Sequence, residues 1–413
     1  MGASASVEDV VSLLQDLVGF PTESLTPNRA MIDWLADHLR AFGAHTEIVE
    51  GPAGRANLLA TVGPAVTGGL LLSAHTDVVP AGSGWATGPY DLTRIDHPEH
   101  GDSVAARGTA DMKGFIACVM VALRELEVKS LSRPVHLVFS YDEEIGCVGV
   151  RGLLDRLAAD QPSGDSVRVI APDLVLIGEP SMMRPRHAHL GKVAYRLRFH
   201  ATPGHSSLSP FLPSAIGCAT RVITVLESIA DGHRAKASRA ANGEASADVT
   251  VNVGTMSGGT ALNVLSEICE LTFELRHTAA FDPDALLAPF WSAVTYEASR
   301  IEAALTGPGS QTSAHPVDPV EIEEIVRYPA LATDASEALV RLVERLADRG
   351  RSIPIGFGTE GGLFAAALGV PVVVCGPGDI GVAHKADEYV QVDQLRDCLT
   401  FLRQLIPAMC TVP

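Results

Sequence analysis

The 413-residue sequence lacks long hydrophobic runs, clusters of basic residues and closely spaced cysteine pairs. No apolar stretch approaches the roughly 18 residues that a membrane-spanning helix needs, so we predict a protein without a membrane segment. The seven cysteines lie singly within apolar segments and form no CxxC pair. That pattern is typical of reduced thiols in a cytoplasmic protein, not of a disulfide framework or a cysteine metal site.

Acidic residues outnumber basic ones, at 49 Asp and Glu against 31 Lys and Arg, which gives a formal net charge of -18. Nucleic-acid binding requires clustered Lys and Arg, so this balance argues against a nucleic-acid partner and favours a small-molecule partner.

The first 20 residues contain Glu8 and Asp9 in an amphipathic pattern. They are predicted to form a helix and not a signal peptide, which would begin with basic residues and an apolar block.

Four short apolar runs predict buried strands of a mostly parallel sheet. They are GLLLSA (69–74), VHLVFS (135–140), DLVLIG (173–178) and VPVVVC (370–375). Helical spacing of apolar residues occurs between these runs, which indicates an α/β domain. In open sheets of this kind, functional side chains gather beyond the carboxyl ends of the strands.

The pattern changes near His187, where apolar and polar residues begin to alternate as in half-exposed strands. The alternating segments are 192–201, 248–256 and 268–277. Helical patterns follow the first and the last of them, which predicts an inserted α+β domain built as a two-layer sandwich. We therefore expect three parts in the chain: α/β domain, first part, 1–186; inserted domain, 187–305; α/β domain, second part, 306–413.

Carboxylate and imidazole groups follow the predicted strands of the α/β domain. They are His75 and Asp77, Asp111, the triplet Asp142, Glu143 and Glu144, Glu179, and His384. Mixed histidine and carboxylate ligands suit zinc and similar divalent ions, and a carboxylate can bridge two ions. Uncompensated negative charge on one rim of a sheet is costly, so a dinuclear cation explains these residues together.

The order and wording of these motifs resemble the di-zinc aminoacylase and carboxypeptidase-like amidohydrolases, over nearly the whole chain from about Val7 to the last helix. The resemblance implies a metal-dependent hydrolase that is a homodimer, with two zinc or cobalt ions per chain. It also implies that the α/β domain is catalytic and that the inserted domain serves as lid and dimerisation domain. The implied ligands, carried over position by position, are His75, Asp111 and Glu179 for one ion, and Asp111, Glu144 and His384 for the other.

The same resemblance implies roles for five further residues. Asp77 is expected to accept the second N–H of the His75 imidazole, and Glu143 to act as the acid/base. In the inserted domain, His205 in TPGHSSLSP is expected to stabilise an oxyanion in the partner subunit. Asn263 in GGTALNV and Arg276 in FELRH are expected to bind the substrate carboxylate. The alternatives are a turn acid at Asp77, a structural Glu143, a turn-capping His205 and a surface ion pair at Arg276.

The segment GFGTEGGLFAAALGVPVVVCGPGDIGVAHKADEYV (356–390) resembles that of acetylornithine deacetylases. The predicted reaction is hydrolysis of N-acetyl-ornithine to ornithine and acetate, a step of arginine biosynthesis. Other readings stay open on the same metal centre: a succinyl-diaminopimelate desuccinylase, a broad aminoacylase or a dipeptidase. A more distant alternative is a non-catalytic binding protein on the same fold, although all the implied ligands and Glu143 are present.

Overall fold

The computed structural model describes residues 5–158, 171–234, 238–239, 245–306 and 318–411. The chain divides into two compact units. Unit 1 comprises Met1–His189 and Leu331–Pro413, and unit 2 comprises Leu190–Ala330. Among the described residues, no helix combines the length and the apolar character that crossing a membrane requires.

Unit 1 contains a six-stranded, mostly parallel sheet. Its strands, in spatial order, are His45–Glu50, Ala56–Val62, Val135–Ser140, Leu70–His75, Leu174–Pro180 and Val372–Gly376. The last four are neighbours that all run parallel, and they are the four apolar runs of the sequence. Every residue of these four strands is buried, which explains why they read as continuous apolar runs and not as alternating ones.

Helices cover both faces of this sheet, so that unit 1 has three layers. One hydrophobic core lies under five helices: Val7–Val18, Arg29–Ala41, Gly114–Arg124, Ala338–Ala347 and Val392–Cys410. A smaller core lies on the other face, under Arg151–Ala158 and Gly361–Leu368. Two small antiparallel sheets complete the unit, with strands Thr93–His97, Gly101–Ala105 and Tyr389–Gln391 in one, and Ala188–His189 and Leu331–Ala332 in the other.

Unit 2 is an α+β sandwich of two layers. Its antiparallel sheet has the spatial order Val249–Gly258, Ile268–His277, Gly191–His200 and Val320–Tyr328. The strand Ile268–His277 alternates buried residues with more exposed ones, as the sequence pattern predicts. Its buried side chains pack with those of the helices Ala215–Arg234 and Pro283–Thr306. A short ladder pairs Gly204–His205 with Val264–Leu265.

The inserted unit extends further along the chain than the sequence indicates. The predicted boundary falls at 305, whereas the strand Val320–Tyr328 pairs with Gly191–His200 and belongs to the sheet of unit 2. Its sequence, VEIEEIVRY, has adjacent acidic residues and a register shift between Glu324 and Val326, so its alternation is interrupted. The start of the inserted unit, at Leu190, lies three residues from the predicted 187.

Close packing beside the sheet generates a test of the fold. A Cβ atom added at Gly178 would lie 2.0 Å from a ring carbon of buried Phe115. We expect Gly178→Ala to lower the free energy of unfolding by about 1–3 kcal/mol, the usual cost of overpacking. Urea denaturation of the metal-free protein measures it. The matched control is Gly152→Ala, where the added Cβ meets no atom within 4 Å; equal midpoints for the two variants would contradict the packing.

Candidate active site

Three of the predicted ligands lie at the carboxyl ends of adjacent parallel strands of unit 1. His75 is the last residue of Leu70–His75, and Glu179 is the penultimate residue of Leu174–Pro180. Glu144 follows the strand between Val135 and Ser140 by four residues. Because parallel strands end at the same edge of a sheet, the fold brings these side chains together.

Asp111 lies between two histidines and presents a different oxygen to each. The Nε2 atom of His75 is 2.9 Å from Asp111 Oδ1, and the Nε2 atom of His384 is 3.2 Å from Asp111 Oδ2. Asp111 is in a buried turn that connects the strand Gly101–Ala105 to the helix Gly114–Arg124. A carboxylate with both oxygens directed at separate imidazoles has the arrangement of a bridging ligand.

The remaining two predicted ligands complete the two sets around Asp111. Glu179 Oε1 lies 3.6 Å from His75 Nε2, and Glu144 Oε2 lies 3.0 Å from His384 Nε2. The structure therefore brings all five predicted ligands together within unit 1. Potential ligand atoms of His75, Asp111 and Glu144 lie within 4.8 Å of one another, and so do those of His75, Glu143 and Glu179.

This donor set fits divalent metal ions. Imidazole nitrogen and carboxylate oxygen are the ligands that zinc and similar ions take, and here they are mostly buried. Burial raises the pKa of Glu179 well above its ordinary value, and the charge of Asp111 adds to that effect. Burial and Asp111 likewise raise the pKa of Glu144, to about 7. Metal ions would replace protons here, since bound carboxylates must be deprotonated.

The pKa values of the two histidines are also raised, which favours the charged form of each imidazole. Burial disfavours a charged imidazole at His75, but its hydrogen bonds to Asp111 and Asp77 outweigh burial and hold its pKa well above the ordinary value. Hydrogen bonds to Asp111 and Glu144 raise the pKa of His384 to about 10. Imidazolium groups thus partly neutralise the acids in the metal-free chain. Bound protons or metal ions are needed to compensate the negative charge of the clustered carboxylates.

Asp77 faces the second nitrogen of the His75 imidazole with both its main-chain oxygen and its carboxylate. The acceptor nearest to His75 Nδ1 is the main-chain oxygen of Asp77, at 2.8 Å, while its carboxylate Oδ1 is 3.5 Å away. That carboxylate accepts hydrogen bonds from the Ser24 hydroxyl and from the main-chain N–H groups of Glu143 and Glu144, at 2.8, 3.0 and 3.3 Å. Asp77 therefore contacts the His75 imidazole and also holds the turn that carries Glu143, the predicted acid/base.

Glu143 stands beside the proposed ligands, on the turn that Asp77 anchors. Its buried carboxyl has a pKa raised well above the usual range, chiefly by burial. The Cys147 thiol donates a hydrogen bond to Glu143 Oε1 at 3.3 Å. A carboxyl group with a raised pKa, adjacent to metal ligands, is suited to accept and return a proton near neutral pH.

The predicted residues of unit 2 fall into two places. His205 pairs with Val264 in the short ladder, and the Ser206 N–H donates to the Asn263 main-chain oxygen at 3.0 Å, so His205 and Asn263 are neighbours on an exposed surface. His205 Nδ1 also caps the following turn, accepting from the Ser207 N–H at 3.2 Å. The exposed His205 ring is therefore held at its Nδ1 atom.

Arg276 is engaged within its own strand. Its Nε donates to Glu274 Oε1 at 2.9 Å, and Lys192 Nζ lies 2.7 Å from the other oxygen of Glu274. This ion pair is the alternative role that the sequence leaves open for Arg276. A substrate carboxylate would have to share the guanidinium with Glu274.

Several residues that support the site are not predicted from the sequence. Glu388 accepts three main-chain hydrogen bonds around Asp111, and Cys147 contacts Glu143. The phrases AHKADEY and EEIGC contain them, but nothing in a single sequence indicates which distant segment a buried acid or thiol will contact.

His187 and His189 form hydrogen bonds outside the cluster of predicted ligands. The partner of His187 is the Ser352 hydroxyl, and the partner of His189 is the Gly362 N–H, both in unit 1.

Comparison with known proteins finds relatives that match nearly the whole chain. The sequence profile of Peptidase family M20/M25/M40 matches residues 71–408. The acetylornithine deacetylase of Pasteurella multocida is 31% identical over 98% of this chain and 99% of its own length. That of Proteus mirabilis is 30% identical over 97% and 96%.

Solved structures of this family share the fold. Aminopeptidase PepT from Bacillus cereus superposes with a TM-score of 0.69 at 18% identity, over 98% of this chain and 99% of that one. A metallo-carboxypeptidase from Sulfolobus solfataricus gives 0.70 at 15%, over 97% and 100%. A dinuclear metal-binding peptidase from Bacillus subtilis gives 0.62 at 14%, over 98% of each chain. The chain belongs to Peptidase family M20/M25/M40 and is a metal-dependent hydrolase.

Proposed function

We propose that the enzyme hydrolyses the amide of an N-acyl amino acid, with N-acetyl-ornithine as its substrate and ornithine and acetate as its products. The bridging geometry of Asp111 between His75 and His384 carries the hydrolytic part of the proposal. The substrate is supported by identity of about 30% to two acetylornithine deacetylases over nearly the full length. The seven cysteines, all buried and without disulfide partners, support a cytoplasmic location.

The five proposed ligands would hold two divalent ions, zinc or cobalt. When bound, such ions lower the pKa of a coordinated water toward about 7 and polarise the amide carbonyl. Glu143 takes a proton from the attacking water as the new C–O bond forms. It then delivers that proton to the nitrogen as the C–N bond breaks. Its raised pKa suits both transfers.

Substrate choice is tested with a parallel panel. Protein reconstituted with zinc or cobalt is assayed on N-acetyl-ornithine, N-succinyl-diaminopimelate, other N-acetyl amino acids and simple dipeptides. We expect the highest kcat/KM on N-acetyl-ornithine, loss of turnover on chelation and its return on adding either ion. Preference for the succinyl compound, for acetyl amino acids in general or for dipeptides would replace the proposed substrate. Full activity in a metal-free preparation would overturn the metal-dependent mechanism.

The role of Glu143 is tested against its neighbour. We expect Glu143→Gln to bind both ions and to lose at least roughly a hundredfold in kcat, the low end for general acid–base catalysis. Glu144→Gln is the matched control, since it removes a proposed ligand one residue away and should lower the metal content. Elemental analysis and steady-state kinetics separate the two effects. Metal loss in Glu143→Gln with full metal content in Glu144→Gln would reverse the two assignments.

We further propose that the protein is a homodimer in which His205 serves the partner's active site. The segments around His205 expose large apolar side chains, including Leu208, Phe211 and Leu262, and Leu262 is fully exposed. Apolar surface of this kind marks interaction sites. Each outer strand of the unit 2 sheet has one paired neighbour among the described residues, and proteins commonly cover such edges. Asn263, beside His205, and Arg276 are proposed to bind the substrate carboxylate.

Mixed dimers test this arrangement. We expect His205→Ala and Glu143→Ala chains to be inactive alone and to regain up to about half the wild-type rate per mixed dimer, because one site of two then has both groups. Mass measurements verify subunit exchange. Mixing Glu143→Ala with Glu179→Ala is the control, since both changes lie in unit 1 and no intact site can form. If exchanged His205→Ala and Glu143→Ala dimers stay inactive, His205 does not act across the interface.

A further inference from the structure

The turn that carries Asp111 is organised around one distant carboxylate. Glu388 Oε1 accepts hydrogen bonds from the main-chain N–H groups of Gly108, Ala110 and Asp111, at 3.1, 2.9 and 3.1 Å. Three amides that converge on one oxygen form an anion-binding concavity of the main chain. Glu388 lies 277 residues beyond Asp111 in the sequence and is buried, so the hydrogen bonds are shielded from water.

The second oxygen of Glu388 accepts a hydrogen bond from a buried guanidinium. Arg107 Nη1 donates to Glu388 Oε2 at 2.7 Å, and both side chains are at most 2% exposed. The Arg107 guanidinium also lies 5.1 Å from the centre of the Trp85 ring and reaches the main-chain oxygen of Ala81 at 3.4 Å. Hydrogen bonds to both oxygens fix the orientation of the buried Glu388 carboxylate.

The turn around Glu388 has little room to move. Gly108 has a φ of +85°, and a Cβ there would lie 2.8 Å from Val78 Cγ1. The main-chain oxygen of Glu388 also accepts from the Ala106 N–H at 3.0 Å, and Tyr389 pairs with Ala105 in the small sheet. The segment after His384 is therefore fastened to the turn before Asp111 at several points.

We propose that Glu388 is a positioning residue that sets the relative placement of Asp111 and His384, and with it the affinity of the centre for its ions. Glu388 is four residues from His384 in sequence and bonds directly to the Asp111 amide. The Glu388 side chain thus fastens the segment that contains His384 to the turn that carries Asp111. The inference rests on the proposed metal centre but not on the identity of the substrate.

Metal affinity tests the proposal directly, and the variant is Glu388→Gln. Its amide keeps the shape of the side chain but loses the charge that faces Arg107. Competition with a chromophoric chelator measures the dissociation constants of zinc and cobalt for metal-depleted protein. We expect at least one ion to bind roughly 10–100-fold more weakly, the usual effect of removing support behind a ligand. The visible absorption spectrum of the cobalt-loaded variant should change as well.

The matched control is Glu297→Gln, in an ion pair of unit 2. Glu297 is buried and accepts from the more exposed Arg221 at 2.5 and 2.7 Å and from Arg300 at 2.8 Å, so this variant also removes the charge of a buried, ion-paired carboxylate. We expect wild-type metal affinity in this variant, even where its metal-free thermal midpoint falls as far as that of Glu388→Gln. Equal and unchanged affinities in both variants would overturn the proposal.

A second substitution covers the case in which Glu388→Gln does not fold. Glu388→Asp keeps the charge but withdraws the carboxylate by one methylene, and we expect the same direction of change in metal affinity. Wild-type affinity in Glu388→Asp would then refute the positioning role. Binding measurements also test the metal centre separately from the positioning role of Glu388. A wild-type protein that binds neither ion contradicts the metal centre, whereas poor turnover of N-acetyl-ornithine leaves the role of Glu388 intact.

Discussion

The accumulation of acids at one edge of a parallel sheet is the constraint on which the site of this protein depends. Glu143, Glu144 and Glu179 lie with Asp111 around two imidazoles, and burial denies these groups the solvation that water would give. Without metal, His75 and His384 hold protons more tightly than usual because of these acids. Two divalent ions would compensate the same negative charge more completely, and they would also supply the chemistry of hydrolysis.

The surroundings of the cluster fix main-chain segments as much as side chains. Asp77 accepts the amides of Glu143 and Glu144, and Glu388 accepts the amide of Asp111. Asp142, beside the proposed acid/base, is itself buried and pairs with Arg55. Carboxylates outside the ligand set thus hold the turns from which the ligands project. Because some carboxylates bind main-chain amides and others are proposed ligands, the motifs contain more acids than two metal ions require.

The sequence predicts those features that depend on local pattern. The four apolar runs become the four parallel strands, and the residues that follow them meet because parallel strands end at one edge. Interrupted patterns are less informative: the acidic strand Val320–Tyr328 escapes detection, and the end of the inserted unit is placed too early. Contacts between distant segments, such as Glu388 with Asp111, leave no periodic signal. The sequence also does not indicate that the main-chain oxygen of Asp77 faces His75 most closely while its carboxylate accepts the Glu143 N–H.

Anomalous diffraction from crystals of the zinc-loaded protein, recorded on both sides of the zinc absorption edge, tests the two-ion centre most directly. The hypothesis of a two-ion centre predicts two peaks in unit 1, about 3.5–4 Å apart, the usual spacing in two-metal sites. Asp111 should lie between them, with His75 and Glu179 on one ion and Glu144 and His384 on the other. A single peak, or a peak bound by Glu143 in place of Glu144, would contradict it.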